Sequence, residues 1–282
     1  MNRTKIILAA VTGLLAACQT LPNLVQGQFP GRSKKQYEAI DAKFMVVSQG
    51  RATSLAAREV LLAGGNAFDA FAAASFAISV ERPQSTGLGG GGFLVAYNSK
   101  LQKSMTIDFR EKAPLASNRD MYLDKNKEVI EDLSWSGGLA SGVPGTVKGV
   151  LEIHKKFGRL SRKQIMAPAI RLAQKGFPVY AHLEAALEAK KSLLWKNKDI
   201  RSVFFKTNGN HLVVGDTLKQ EMLAETLRRI SNGGSRAFYR GKIADQIVST
   251  QKKTSGIIRK TDLKKYEIKY RNNCVSHETR IS

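Results

Sequence analysis

Residues 84–114 read Gln84-S-T-G-L-G-G-G-G-F-L-V-A-Tyr97, then Asn98-S-K-L-Q-Lys103, then Ser104-M-T-I-D-F-R-E-K-A-Pro114. Five glycines fall within Gly87–Gly92 and lead straight into Phe93–Tyr97. Phe93–Tyr97 and Met105–Phe109 carry period-two patterning, and the polar Asn98–Lys103 segment joins them, so the pair reads as a β-hairpin. Glycines at this density let one backbone approach another, or a ligand, with no Cβ between them. Arg110 and Glu111 close the second strand. Arg110 is then a fixed cation at the rim of a space built by glycine.

Away from the hairpin the pattern is mostly helical. Phe44–Val47 reads as a short buried strand. Thr53 and Ser54 can cap a helix that stops at Gly64-Gly65, and Asn66–Val80 is an Ala- and Phe-rich helix apolar on most sides. Pro144 suits the first turn of a helix that runs to Phe157 and stops at Gly158. Further helices are expected over Ser161–Lys175 (interrupted at Pro168), Ala181–Lys190, Thr217–Ile230 with Asp216 as cap, and Lys242–Gln251. Strands early and helices late fit an α/β (α+β) chain with helices packed on a sheet.

The chain has 282 residues and a formal net charge of +22. Its 43% apolar and 24% charged content is that of a globular protein. Such a charge raises nucleic acid as a partner, but zinc-finger spacing, an RNP-like aromatic strand and a basic zipper are all missing from the sequence. A basic surface facing anionic lipid, or a general basic bias, fits better, and no nucleic acid is expected. Residues 1–17 form a cationic head, Met1–Lys5, and an apolar stretch, Ile6–Ala17, too short to span a bilayer comfortably. They end in Leu15-Ala16-Ala17-Cys18, which resembles a bacterial lipobox. Cys18 would be the lipidated residue, the chain a lipoprotein on the periplasmic side of the envelope, and 18–42 a polar tether. Cys274 is the other cysteine, and with Cys18 lipidated one unmodified thiol cannot make an internal disulfide. The four histidines are scattered, without metal-ligand spacing. No metal and no cofactor are expected.

The glycine run is not a Walker loop, because no Gly-Lys-Ser/Thr follows and Gly92 opens a strand, not a helix. Two readings remain, a tight turn where elements pack closely or a ligand-facing loop. Arg110 has two readings as well. Between Asp108 and Glu111 it can be a surface ion pair of little energetic weight. Alternatively its planar fork can bind a carboxylate through two parallel hydrogen bonds.

Four strings in series, Gly64-G-N-A-F-D-Ala70, Gly87-L-G-G-G-G-Phe93, Asp108-F-R-E-K-A-Pro114 and Ala140-S-G-V-P-G-Thr146, resemble the gamma-glutamyltransferase (glutathione hydrolase) family. Gln164–Ala169, Ala173–Phe177, Gly215–Leu218 and Phe238–Gly241 agree in style, and the resemblance covers about 43–271. It implies an N-terminal-nucleophile hydrolase, an αββα sandwich made as a precursor that cuts itself into a large and a small subunit. It also implies that Arg110 clamps the α-carboxylate of a γ-glutamyl substrate such as glutathione. The family nucleophile is the Thr freed at the start of the small subunit, with its own amine as base.

No Thr of this chain stands in that context, so no catalytic residue is assigned. Segment 272–282 has no apolar period and no evident family likeness, which points to a frameshift, an early stop or a split gene. Three functions compete: a large-subunit part inactive alone, an envelope lipoprotein retaining only anionic-ligand binding or no role, and a cationic lipid or nucleic-acid binder.

Overall fold

The computed structural model describes residues 43–100 and 102–271. The chain divides into Met1–Met45 and Val46–Ser282. Of the first unit, Lys43–Met45 are irregular. Cys18, Cys274, the leader, the 18–42 tether and the 272–282 tail lie outside the described residues. All the helices and strands named below belong to the second unit.

Helix α1 (Arg51–Leu62) and helix α2 (Ala67–Glu81) form a hairpin around Gly64, whose φ of +89° only glycine adopts freely. Thr53 does not cap α1, contrary to the sequence reading. It lies inside the helix, and the cap comes from the far end of α2. The buried Glu81 carboxylate accepts from the Ala52 and Thr53 N–H groups and from the Thr53 hydroxyl, at 2.7–3.0 Å. Helix α2 begins in a capping box of Asn66 and Asp69. Asp69 is fully buried and also accepts from the N–H groups of Arg159 and Leu160, so the Gly-Gly-Asn-Ala-Phe-Asp string is a structural knot.

Strands β1 (Phe93–Asn98) and β2 (Lys103–Asp108) form the expected antiparallel hairpin, with Val95 opposite Thr106. Phe44–Val47 forms no strand, and Met45 and Val47 are exposed. Helix α3 (Thr146–Phe157) starts two residues after Pro144, so Pro144 precedes the helix and does not open it. Helix α4 (Arg162–Lys175) passes through Pro168 without a break, again unlike the sequence reading.

Strand β3 (Phe177–Pro178), helices α5 (Ala181–Ala189), α6 (Lys191–Trp195) and α7 (Lys198–Phe204), and strand β4 (Thr217–Leu218) come next. Thr217 and Leu218 pair with β3, so the helix expected to start there starts at Glu221. Asp216 is a turn residue, accepting from the Val213 N–H and pairing with Lys206. The described residues end in α8 (Glu221–Gly233), α9 (Ser235–Tyr239), α10 (Lys242–Lys253), α11 (Lys260–Lys265) and strand β5 (Lys269–Arg271).

β5 returns to pair with β2 and completes a three-stranded sheet of order β1-β2-β5. Two apolar clusters hold the fold. The larger packs Phe76 and Val80 of α2 against α3, α4 and α8 through Val147, Met166 and Leu227. The smaller lies under the sheet, where Ile107, Phe109 and Ile153 meet Phe68, Phe71 and Leu94. Among the described residues only one face of the sheet is covered. On the other, Phe93, Val95 and Tyr97 are 58%, 75% and 60% exposed.

Candidate functional site

The glycine run owes its composition to proximity, not to unusual dihedrals. None of Gly87–Gly92 has a positive φ. A Cβ on Gly91 would lie 2.5 Å from the Phe109 carbonyl oxygen and 2.7 Å from the Glu111 nitrogen, both backbone atoms that cannot step aside. Gly92 and Phe109 exchange backbone hydrogen bonds at 2.9 and 3.3 Å, extending the ladder past β1. The Gly90 carbonyl accepts from Gly145 and Thr146 at 2.8 and 2.9 Å, which fastens the run to the start of α3. Gly145 is equally crowded: a Cβ there would collide with the Phe109 carbonyl and the Tyr266 hydroxyl. The run is therefore close-packed architecture on one side. On the other it lines a cleft of about 250 Å³ with Ser79, Glu111 and Thr146.

Arg110 sits where β2 ends, and its backbone is fixed at both polar atoms. Its N–H donates to the Asp108 carboxylate at 3.0 Å, and its carbonyl accepts from the Tyr266 hydroxyl at 2.8 Å. Tyr266 is itself held, its ring stacked on Tyr239 with centroids 5.8 Å apart and the Lys112 ammonium 5.0 Å above it. Burial pushes the phenols of Tyr239 and Tyr266 well above the ordinary range, so both stay protonated donors. The Arg110 N–H first, then the Arg271 guanidinium, hold the Asp108 carboxyl below its ordinary value. Asp108 thus pairs across the sheet with Arg271, not with Arg110.

The Arg110 side chain is 63% exposed. Its Nε lies 3.2 Å from Glu111 Oε2, an ion contact too poorly aligned to satisfy that buried oxygen as a hydrogen bond. Its guanidinium carbon is 6.0 Å from the centre of the Phe93 ring. Among the described residues neither Nη nitrogen has a hydrogen-bond partner. Glu111 and Phe93 orient the fork, and its two terminal N–H edges remain free for a planar anion. The pair with Glu111 exists, and it leaves the bidentate edge unspent. Arg110 is not among the residues lining the 250 Å³ cleft, and Glu111 is the side chain that adjoins both.

Tyr266 escaped the sequence reading because Leu263-K-K-Tyr266 carries no motif, and its partner Arg110 lies 156 residues earlier. Gly145 could have been found, since Val143-Pro-Gly-Thr146 marks a close approach before a helix. The glycine run, Arg110, Glu111 and Tyr266 come from segments far apart in sequence and meet at the ends of β2 and α3.

The helix-backed antiparallel sheet of the described residues superposes on solved gamma-glutamyltranspeptidases, which have the N-terminal-nucleophile hydrolase fold. Residues 53–280 match the family model of gamma-glutamyltranspeptidase, a span that reaches into the 272–282 segment. The glutathione hydrolase proenzyme of Bacillus subtilis (strain 168) is 37% identical over 274 residues, which is 95% of this chain and 46% of the relative. The corresponding proenzyme of Pseudomonas aeruginosa is 40% identical over 219 residues, 76% of this chain and 37% of its own length. The crystal structure of Helicobacter pylori gamma-glutamyltranspeptidase superposes with a TM-score of 0.82 at 36% identity, covering 85% of this chain and 68% of that one. The chain belongs to the gamma-glutamyltranspeptidase family and corresponds to the N-terminal, large-subunit part. It spans less than half the length of these curated relatives.

Proposed function

We propose that this chain is the substrate-recognising half of an enzyme that opens the γ-glutamyl amide of glutathione and related compounds. Arg110 receives the α-carboxylate of the γ-glutamyl group. The acyl group passes to a Thr supplied by the complementary small-subunit half, and then to water or an amino acid. The Thr amine takes the hydroxyl proton, backbone N–H groups hold the oxyanion, and the amine of the leaving group departs protonated. The observation that carries this reading is the Arg110 fork, fixed at its backbone and open at both Nη atoms. Without the complementary half, as continuation of the same polypeptide or as a separate chain, no bond-making group is present and the chain is inactive.

Hydrolysis of a chromogenic γ-glutamyl anilide decides the matter. The 282-residue chain alone gives no turnover. Co-expression with a family C-terminal half restores it, and Arg110→Ala in the restored enzyme removes most of it. Turnover by the chain alone, or a restored enzyme indifferent to Arg110→Ala, overturns the proposal.

The free fork also favours a second reading, in which the chain alone retains only the binding of small carboxylates. Calorimetric titration with glutamate and glutathione then gives weak binding lost in Arg110→Ala. Equal heats from both proteins remove this reading.

Lipid attachment at Cys18, with the chain held on the periplasmic side of a membrane, rests on the Leu15–Cys18 string. Mass spectrometry of the mature N-terminus tests it, and an unmodified Cys18 in a bacterial host would falsify it.

A further inference from the structure

Tyr266 lies 156 residues after Arg110 and directly follows α11, yet its hydroxyl donates to the Arg110 carbonyl at 2.8 Å. It is only 3% exposed, so it cannot reach a ligand itself. Its phenol tip takes the space that a Cβ on Gly145 would fill, and the Gly145 N–H in turn donates to Gly90 of the glycine run. The ring stacks on Tyr239 with 13° between their planes, and the Tyr239 hydroxyl donates to the Pro144 carbonyl at 2.8 Å, just ahead of α3. Lys112 places its ammonium over the Tyr266 ring and donates to the Glu267 carbonyl at 2.6 Å.

The other end of the Arg110 backbone is held through Asp108. Its Oδ1 accepts from the Arg110 N–H at 3.0 Å. Its Oδ2 accepts from Nε and Nη2 of Arg271, at 3.0 and 2.5 Å. Arg271 belongs to β5, whose Lys269 lies opposite Asp108 in the sheet. The Asp108 charge is thus spent on the neighbouring strand, and the Arg110 fork branches from a Cα fixed on both sides by segment Tyr266–Arg271.

We propose that Tyr266 and Arg271 are positioning residues for the Arg110 fork and set the selectivity for a γ-glutamyl group that carries its α-carboxylate. This rests on the function proposed above and adds to it a segment that acts only through Arg110. A two-pronged hydrogen bond needs its planar donor held to within about 0.5 Å. An arginine on a loose strand end would have to be ordered by the ligand, at a cost in affinity. Here the ordering is done beforehand by a hydroxyl and a guanidinium from the far end of the fold.

The test is steady-state kinetics on a γ-glutamyl anilide, with the enzyme restored by co-expression. Tyr266→Phe keeps the ring and its burial and removes only the hydroxyl. It should raise KM about 5- to 10-fold, the weight of one buried hydrogen bond, and leave kcat nearly unchanged. Arg271→Gln should raise KM about 2- to 5-fold, as befits a half-exposed ion pair. With Arg110→Ala already in place, neither substitution should lower kcat/KM further, because no fork is left to position. Losses of equal size in both backgrounds mark a purely structural role and overturn the proposal. If Arg110→Ala itself changes nothing, the proposed function falls and the positioning role with it. If Arg110→Ala lowers kcat/KM while the other two variants keep a normal KM, only the positioning role falls.

The 282-residue chain alone supplies a measurement that needs no complementary half. Hydrogen exchange at the Arg110 amide should quicken at least about 10-fold in Tyr266→Phe, with the β1–β2 ladder as protected as before. Unchanged exchange there, or a loss of protection across the whole hairpin, overturns the proposal. Should Tyr266→Phe not fold, Lys112→Gln removes the ammonium from the ring and from the Glu267 carbonyl. It should raise KM about 2-fold or more, and a normal KM in that variant overturns the proposal instead.

Discussion

Arg110 is held by four different partners, and each holds a different atom of it: Asp108 its nitrogen, Tyr266 its carbonyl, Glu111 its Nε and Phe93 its guanidinium face. Such fixing lowers the entropy lost when the fork closes on a carboxylate. In the complemented enzyme proposed above, Arg110→Ala should therefore cost about 2–5 kcal/mol of binding to the charged substrate, roughly 30-fold or more in kcat/KM. Arg110→Lys keeps the charge but not the fork, and should recover only part of the loss. Steady-state kinetics on a γ-glutamyl anilide separate these outcomes, and an Arg110→Lys enzyme of normal KM would count against bidentate binding. Gly91 makes a purely steric prediction. A Cβ there meets only backbone atoms of Phe109–Glu111, so Gly91→Ala should destabilise by about 3 kcal/mol, the upper end of overpacking costs. Urea unfolding at low micromolar concentration measures it, and a change below about 0.5 kcal/mol would mean the strand can shift aside.

At the level of elements, helices cap one another across the fold in ways their own sequences do not announce. The start of α1 is satisfied by Glu81, almost thirty residues away, so Glu81→Ala strands three donors at once. It should cost about 3 kcal/mol, more than the loss of an ordinary local cap. A urea midpoint equal to that of the unaltered chain would contradict this. The hairpin and the Gly158 stop were legible because their signals are local: period and glycine. The start of α8 was misread because the Thr217-Leu218 pair belongs to a two-residue ladder with Phe177-Pro178, and a two-residue strand carries no period. Pro168 looked like a break because the local rule forbids it, yet the helix continues through it with Pro168 buried in the core. Strand β5 could not be read at all, since its exposed Lys-Tyr-Arg has no pattern until β2 gives it a partner. That pairing is pH-dependent. The Asp108 carboxyl is depressed in the folded chain, so its contribution is fully present above about pH 4 and is lost as pH falls through the folded value. Asp108→Asn should flatten the fall of the urea midpoint below about pH 4 and leave the Arg110 N–H with a weaker acceptor. A parallel acid slope in both proteins would assign it to other carboxylates.

For the molecule as a whole, the bare face of the sheet decides behaviour. One face rests on Phe68, Phe71 and Ile153, while Phe93, Val95 and Tyr97 form an apolar row open to water, a liability that folded proteins normally cover. In an αββα sandwich the second layer would cover this row, and under the proposed function that layer comes with the complementary half. The row therefore predicts two opposite effects of one change. Val95→Lys with Tyr97→Lys should make the isolated chain more soluble and less prone to self-association, because exposed like charges on a strand block edge and face stacking. The same pair should abolish assembly with the complementary half, because burying two unpaired ammonium groups costs several kcal/mol each. Light scattering of the isolated chain and recovery of γ-glutamyl anilide turnover in co-expression read the two sides independently. If both solubility and assembly are unchanged, the row is not an interface. If solubility rises and assembly survives, the second layer packs elsewhere and the sandwich assignment of this face fails. Only the crossed result, soluble but unable to assemble, follows from a sheet built to be covered by the other half of the enzyme.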